Sequence, residues 1–362
     1  MNRINSRMNN QICVSTYCVV SSYGSILQSF ALKRVLRELG FKSTILSRRD
    51  GNDFTNFSYY RKKISFNNVL VNFYYWLVKK EIFSRFQKNM DFISDRMDLL
   101  EYEKNDSLRN EEFATQIFLA GSDQVFNPIQ CRPEFFLDFA PIGTKKVAYA
   151  ASMGALDVPA AKEKEFERLL NNFDYLSFRE RDAAEVARKY TNKEIQVHID
   201  PTFLMNANEW RVIEKEYPIQ GKYILLYPIY WDRSLNIKLK ALHKKTGLPI
   251  ILIGDNIGVY HQKAIRDAGV DQFLWLIDHA EYVITSSFHG AALAINFNKK
   301  TSMVINLKLP SRLNGLAEIL DFPIVPIEKI DSSEIDYERV NNNIAHEKER
   351  SMAYLKKVLC NE

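Results

Sequence analysis

The sequence predicts an α/β protein of two doubly wound halves that face each other across a cleft. Three observations carry this. Short runs rich in β-branched and aromatic residues alternate with amphipathic stretches of helical period, and the connections are short, the pattern of parallel sheets covered on both faces. That alternation pauses around residues 206–220, where NANEWRVIEKEYPIQGK is polar and carries Pro and Gly, and then restarts. At 362 residues the chain is also long for a single hydrophobic core. The expected division is an N-terminal domain over 1–210 with a helical insertion at about 55–105, a C-terminal domain over 211–335, and a tail, 336–362, that packs back as a charged amphipathic helix.

A first strand, QICVSTYCVV (11–20), leads through SSYGS into a stretch where Ile26, Leu27, Phe30, Ala31, Val35, Leu36 and Leu39 share one helical face. Ser25 reads as its N-cap and Gly40 as the residue just past its end. FKSTIL (41–46) follows as a strand and completes a βαβ opening. Residues 65–100 read as one or two long amphipathic helices. TQIFLAGSDQVFN (115–127) is a buried strand with a polar exit. KKVAYAASMG (145–154) and YLSFRERDAAEVARKY (175–190) repeat the strand, loop and helix scheme, and IQVHIDPTFLM (195–205) adds a strand. Past the boundary the scheme restarts with YILLYPIY (223–230), a helix near LNIKLKALHKKTG (235–247), PIILIG (249–254), FLWLIDHA (273–280), YVITSSFHG (282–290) and TSMVIN (301–306).

Composition excludes several classes. A hydrophobic content of 46% with 26% charged residues is that of a soluble globular protein. The four cysteines form no CxxC pair, which argues against a zinc ribbon or a disulfide framework and for reduced, buried thiols. The amino terminus is polar, without a signal-peptide core, and no stretch reaches the roughly 18 apolar residues of a spanning helix. A cytoplasmic location is expected. The net charge of +5 is unevenly spread: residues 48–90 hold nine basic and three acidic side chains, +6, so the remainder sums to −1. The same window carries NFSYY, NFYYWLV and IFSRF. Such a basic, aromatic segment suits an anionic membrane surface or a solvated helix over a core, and no helix-turn-helix, zinc or RNA-sheet signature supports nucleic acid as a partner.

Familiar sites are missing. No two of the thirteen glycines are two residues apart, so GxGxxG is absent, as are GxxxxGK[ST], DxD, HExxH and GxSxG. No cluster of His and Cys offers a metal site, and no metal is expected. What remains is a series of polar strand exits: SSYGS, GSDQVFN, SMG, FRERD, DPT and SSFHG. The richest is TSSFHGAALAIN (285–296), which follows a buried strand and opens an apolar helix. His289 then lies at a strand-to-helix junction beside amides the helix cannot satisfy internally, where ligands of open α/β sheets bind.

In order along the chain, YGSILQSFALKRVLRELG, GSDQVFN, AYAASMG, LSFRERDA, DPTFLM, FLWLIDHAEYVITSSFHGAALAINFNKK and SRL (311–313) resemble the polysaccharide pyruvyl transferase family. One departure is Ser22, where many relatives carry Asn. The resemblance implies two Rossmann-like domains, similar to the metal-independent GT-B glycosyltransferase architecture. It implies phosphoenolpyruvate as donor and a sugar diol as acceptor, in capsule, exopolysaccharide or cell-wall glycan synthesis, with no further cofactor. Two other readings stay open: a GT-B glycosyltransferase using a nucleotide sugar, and a non-catalytic glycan-binding component.

Ketal formation from phosphoenolpyruvate needs an acid or base titrating near neutral pH, cations for carboxylate and phosphate, and a carboxylate to activate a hydroxyl. His289 suits the first role; the alternative is a hydrogen bond to a neighbouring carbonyl. Asp123 suits a base or caps the following turn. Arg179 is expected to clamp an anion with its planar fork or to pair with Glu180 or Asp182, and Arg312 is a second anion contact. Ser286 and Ser287 would form a polar wall, Phe288 would pack inward, and Gly290 would let the backbone approach the ligand. Gly24 and Ser25 open a helix whose amides could hold phosphate. Asp200, before Pro201, reads as a turn residue, and His198 as structural or surface. Segment 48–90 is expected beside the acceptor entrance, touching the inner face of an anionic membrane or a lipid-diphosphate-linked glycan.

Overall fold

The computed structural model describes residues 10–18, 22–49, 66–103, 115–306 and 311–360. The first sheet joins β1 (Gln11–Ser15), β2 (Lys42–Arg49), β3 (Leu99–Glu103), β4 (Ile117–Ala120) and β5 (Lys145–Ala148) in the order β3-β2-β1-β4-β5, every pairing parallel. Bridges from Val147 to Tyr175 and from Ala151 to Phe178 carry it on to the parallel pair β6 (Leu176–Phe178) and β7 (Ile195–Val197). The second sheet joins β8 (Ile224–Tyr227), β9 (Ile250–Ile253), β10 (Lys263–Ile265), β11 (Tyr282–Thr285) and β12 (Lys300–Met303) in the order β10-β9-β8-β11-β12, again all parallel. Both sheets therefore reverse direction beside their first strand, at β1/β4 and at β8/β11, which is where ligands enter doubly wound sheets.

The helices follow from local chemistry. α1 (Tyr23–Glu38) buries Ile26, Leu27, Ala31, Leu32, Val35 and Leu36. Its N-cap is Ser22, whose hydroxyl accepts from the Ser25 amide, so the cap lies three residues ahead of the position expected from sequence. Gly40 does end it, at φ +88°. α2 (Phe66–Arg96) is one helix of 31 residues, since its sequence holds neither Gly nor Pro to divide it. β3 and β10 are short edge strands, LLEYE and KAI, whose mixed character hides them from a search for apolar runs. α3 (Glu163–Leu170), α4 (Arg181–Ala187), α5 (Ala207–Arg211), α6 (Arg233–Thr246), α7 (Val270–Asp278), α8 (Phe288–Asn296) and α9 (Ser311–Leu320) complete the crossovers.

α10 (Tyr337–Cys360) runs from the second sheet back to the first. Near its start the Tyr337 hydroxyl bonds the Lys299 carbonyl; near its end Tyr354 Oη donates to the Ala148 carbonyl at 2.9 Å and Lys145 Nζ donates to the Val358 carbonyl at 3.0 Å. Tyr354 stacks on His198 with ring centroids 4.4 Å apart, and His198 Nδ1 lies 2.8 Å from Ser177 Oγ.

Burial, aided by the charge of Arg350, pushes the His198 imidazole from 6.5 down to about 4. A base whose folded pKa is depressed stabilises the fold fully above its unfolded value, and this is lost as pH falls, because the unfolded chain then binds the extra proton. Urea-unfolding midpoints should therefore decline as pH drops from 6.5 towards about 4. His198→Phe, which keeps the stacked ring and cannot titrate, should flatten the profile in that window.

Candidate active site

Strand exits from both sheets converge where the sheets reverse. β11 ends at Thr285 and α8 begins at Phe288, capped by Ser287 Oγ, which accepts from the Gly290 amide at 3.3 Å. His289 is the second residue of that helix, and its imidazole is 6% exposed. The side chain lies against the start of α1: a Cβ built on Gly24 would stand 2.2 Å from His289 Nδ1. No other residue fits at position 24 without displacing the imidazole.

The opposite edge of the ring meets a buried ion cluster. His289 Nε2 lies 3.4 Å from Asp200 Oδ2. The same oxygen accepts from Arg179 Nη1 at 2.9 Å and from Ser122 Oγ at 2.9 Å, while Asp200 Oδ1 accepts from the Thr202 amide at 3.0 Å and its hydroxyl at 2.8 Å. Arg179 Nε donates to Glu180 Oε1 at 2.9 Å, and Ser152 Oγ donates to the same oxygen at 2.9 Å. The Arg179 guanidinium stacks 3.8 Å from the Phe288 ring centre, and that of Arg312, in the first turn of α9, stands 5.8 Å from it.

Asp123 enters from the β4 exit. Its Oδ2 accepts from Ser25 Oγ at 2.6 Å and its Oδ1 from the Gln124 amide at 2.9 Å. Its backbone sits at φ 73°, ψ −172°, a region almost confined to glycine. This conformation costs about 1–3 kcal/mol. The surroundings hold it there: Asp123 bridges Ala151, and its carbonyl accepts from the Ser152 amide at 2.9 Å.

The electrostatics are mutual. Burial opposes ionisation of Asp200, yet the charges of His289 and Arg179 and the Thr202 amide outweigh it and hold the carboxyl far below the usual carboxylate range. Asp123 is lowered in the same way, burial being overcome by His289, Arg179 and Arg312. Burial likewise works against the charge of Arg179, but Glu180, Asp200 and Asp123 reverse this and raise its pKa. Arg312 is lowered, first by burial and then by the charge of Arg179. Of the ten buried side-chain atoms without a hydrogen-bond partner among the described residues, four lie in this cluster: His289 Nε2, Arg179 Nη2, Arg312 Nε and Glu180 Oε2. A convergence of such atoms at one place calls for a physical explanation, and a ligand is one.

The structure brings His289, Asp123, Arg179, Arg312, Gly24 and Ser25 together and corrects several expected roles. The fork of Arg179 is spent on two carboxylates, so only Nη2 can reach an anion, and Arg312, with no carboxylate in pairing distance among the described residues, is the freer cation. The Ser25 amide, expected among those that could hold phosphate, donates to the capping Ser22 Oγ at 3.5 Å, and its hydroxyl holds Asp123. Ser286 does not line the site: its oxygen accepts from the Ile229 and Tyr230 amides, both at 2.8 Å, and donates to the Tyr230 carbonyl at 2.9 Å. Ser287 is consumed as a cap. A Cβ on Gly290 would meet Thr285 Oγ1 at 2.7 Å and Tyr227 Cδ1 at 2.9 Å, so that glycine serves helix-to-strand packing, not ligand approach.

Asp200 and Glu180 are the residues that sequence reading undervalues. Asp200 does cap its turn through Thr202, as DPT suggests, but its second oxygen joins Arg179 and His289 from elements 21 and 89 residues away in number, beyond any local signal. Elsewhere, Glu214, Asp278 and His279 bring ligand atoms within 4.8 Å of one another; there Arg211 already supplies the counter-charge, donating to both Asp278 oxygens at 2.7 and 3.0 Å.

Two outcomes follow. Asp200→Asn leaves Arg179 without half its compensation and should cost about 3–5 kcal/mol in urea unfolding. Gly24→Ala should cost about 1–3 kcal/mol by forcing apart α1 and the imidazole, seen as a lowered unfolding midpoint with unchanged circular dichroism.

Among solved structures, a UDP-GlcNAc 2-epimerase of Neisseria meningitidis bound to UDP-GlcNAc is similar at a TM-score of 0.50 and 12% identity, covering 97% of this chain and 100% of that one. A Listeria monocytogenes protein described as a UDP-N-acetylglucosamine 2-epimerase is similar at 0.56 and 9% identity, covering 98% of each. These likenesses concern the fold alone, the GT-B-like pairing of two Rossmann-like domains. No curated protein sequence matches. The family profile of polysaccharide pyruvyl transferases matches residues 23–306, from the first turn of α1 past the end of β12 and across every residue of the ion cluster except Arg312 in α9, and the chain belongs to that family.

Proposed function

We propose that the protein transfers pyruvate from phosphoenolpyruvate to two hydroxyls of a saccharide as a cyclic ketal, in the assembly of a capsular, secreted or cell-wall glycan. Beyond family membership, one observation carries this: His289 Nε2, Arg179 Nη2, Arg312 Nε and Glu180 Oε2 are buried without a hydrogen-bond partner in one cluster. It offers an acid, two cationic donors and a carboxylate oxygen, the complement of a small dianionic enol ester and a hydroxyl.

In this reading His289 Nε2 delivers a proton to the methylene carbon, turning it into a methyl group and leaving positive charge on the adjacent carbon. A sugar hydroxyl adds there, its C–O bond forming as its proton is lost to a carboxylate, Glu180 or Asp123. The second hydroxyl then forms the other C–O bond as the C–O bond to phosphate breaks. Of the two hydroxyl protons, one replaces that given to carbon and the other leaves with phosphate. Asp200 steadies the imidazolium before transfer. Arg312 and Arg179 Nη2 meet the donor's carboxylate and phosphate.

His289→Gln keeps size and hydrogen bonding but cannot titrate; it should fold normally and lose roughly 10²–10⁴-fold in phosphate release. Arg312→Ala should raise the donor KM by about 10–100-fold, the loss of one charge-assisted contact. Thermal shift decides the substrate class: phosphoenolpyruvate should raise Tm, since it binds only the folded state. Stabilisation by UDP-GlcNAc without any by phosphoenolpyruvate would favour a nucleotide-sugar transferase, the reading to which the fold of the epimerases lends weight.

A further inference from the structure

We propose that the exposed face of α2 between Phe73 and Phe83 is a membrane-docking surface that seats the protein on an anionic phospholipid layer. The helix is two-faced, but not in the usual sense. Val78, Ile82, Arg85, Asn89, Phe92 and Ile93 turn inward and are buried. On the opposite side Phe73, Trp76, Leu77 and Phe83 are 56, 51, 57 and 50% exposed. At 100° per residue these positions and Lys80 fall on one stripe, centred opposite the buried one. A surface helix normally places charges and amides there; this one places large apolar side chains.

The charge on this face selects the occupant. Lys80 lies in the middle of the stripe, and Lys79 Nζ stands 5.5 Å over the Trp76 ring. The one acidic residue of the helix between Phe73 and Phe83, Glu81, is turned aside to Arg266, whose Nη1 donates to it at 3.3 Å while its Nε donates to Tyr74 Oη at 3.0 Å. Between Phe73 and Phe83 the side chains of the stripe are thus apolar or ammonium, and it belongs to the segment 48–90, which carries +6 against −1 for the rest of the chain. Lysines that snorkel beside Trp and Phe fit a headgroup layer of negative charge, with the rings at the acyl boundary. The docking is peripheral, since no helix among the described residues is long and apolar enough to cross a membrane.

The placement also has a geometric consequence. Arg85, on the inward face, lies against Tyr23, the residue before Gly24. A surface contacted by the stripe is therefore about one helix diameter, roughly 10 Å, from the end of α1 that covers His289. The proposal stands on the exposed face of α2 alone, and its test reads no catalysis.

The full-length protein is sedimented with phosphatidylcholine vesicles with and without phosphatidylglycerol, at low and high salt. It should pellet with the phosphatidylglycerol vesicles at low salt, less at high salt, and not with phosphatidylcholine alone. The double variant Trp76→Ser, Leu77→Ser should retain the wild-type Tm and weaken vesicle binding by about tenfold or more. Lys79→Glu with Lys80→Glu should abolish the preference for phosphatidylglycerol. No pelleting at low salt, or binding indifferent to the serine variant, would overturn the proposal. So would a concentration-dependent dimer that the serine variant abolishes without any vesicle binding, which assigns the stripe to a second copy of the chain.

Discussion

The Asp200 carboxylate is ionised where almost no water reaches it, and much of the site is arranged to make that tolerable. Removing a carboxylate from water costs several kcal/mol even after relaxation. Compensation comes from Arg179 at the β6 exit, Ser122 at the β4 exit, Thr202 in its own turn and His289 from the second sheet. Together they offset the cost of burial, so one buried charge registers four elements against one another. Arg179 carries the constraint onward to Glu180 and, through Phe288, to the start of α8.

The same registration sets how the two sheets meet. Gly24 has no side chain, so α1 can lie directly on the imidazole, and the adjacent Tyr23 stacks on Phe273 with ring centroids 4.3 Å apart and donates to the Ala268 carbonyl at 2.8 Å. One apolar cluster runs from Ile12 and Val14 in the first sheet through Tyr23 to Val283 in the second. An interface built like a core resists sliding, which keeps His289 of the second domain in register with Arg179 and Asp200 of the first. The strain at Asp123 fits this picture: a backbone that would relax elsewhere is kept where its carboxylate meets Ser25.

Glu180 is the group that the proposed reaction and the buried ion cluster would share. Its Oε1 neutralises Arg179 and accepts from Ser152, while Oε2 is left unsatisfied. An apolar replacement of the whole cluster could fold at least as well. Polar atoms left unpaired in the dry interior gain their value only when a ligand arrives.

The sequence by itself determined the elements and their alternation, because helix and strand periods are local: apolar residues three and four apart in α1, and short β-branched runs such as YILLY and YVIT. It also determined the family, since its motifs stand in order at successive strand exits. It located His289, Arg179 and Asp123 as candidates, because they stand at the polar exits of the family motifs. Only the tertiary structure decided which partners each meets. Ser286 and Gly290 look like ligand-facing residues in TSSFHG, but the loop after β8, 56 residues away, takes the first, and Tyr227 the second. Asp200 looks like a turn residue in DPT, yet a charge acts through space and takes its partners from whichever elements the fold brings within a few ångströms.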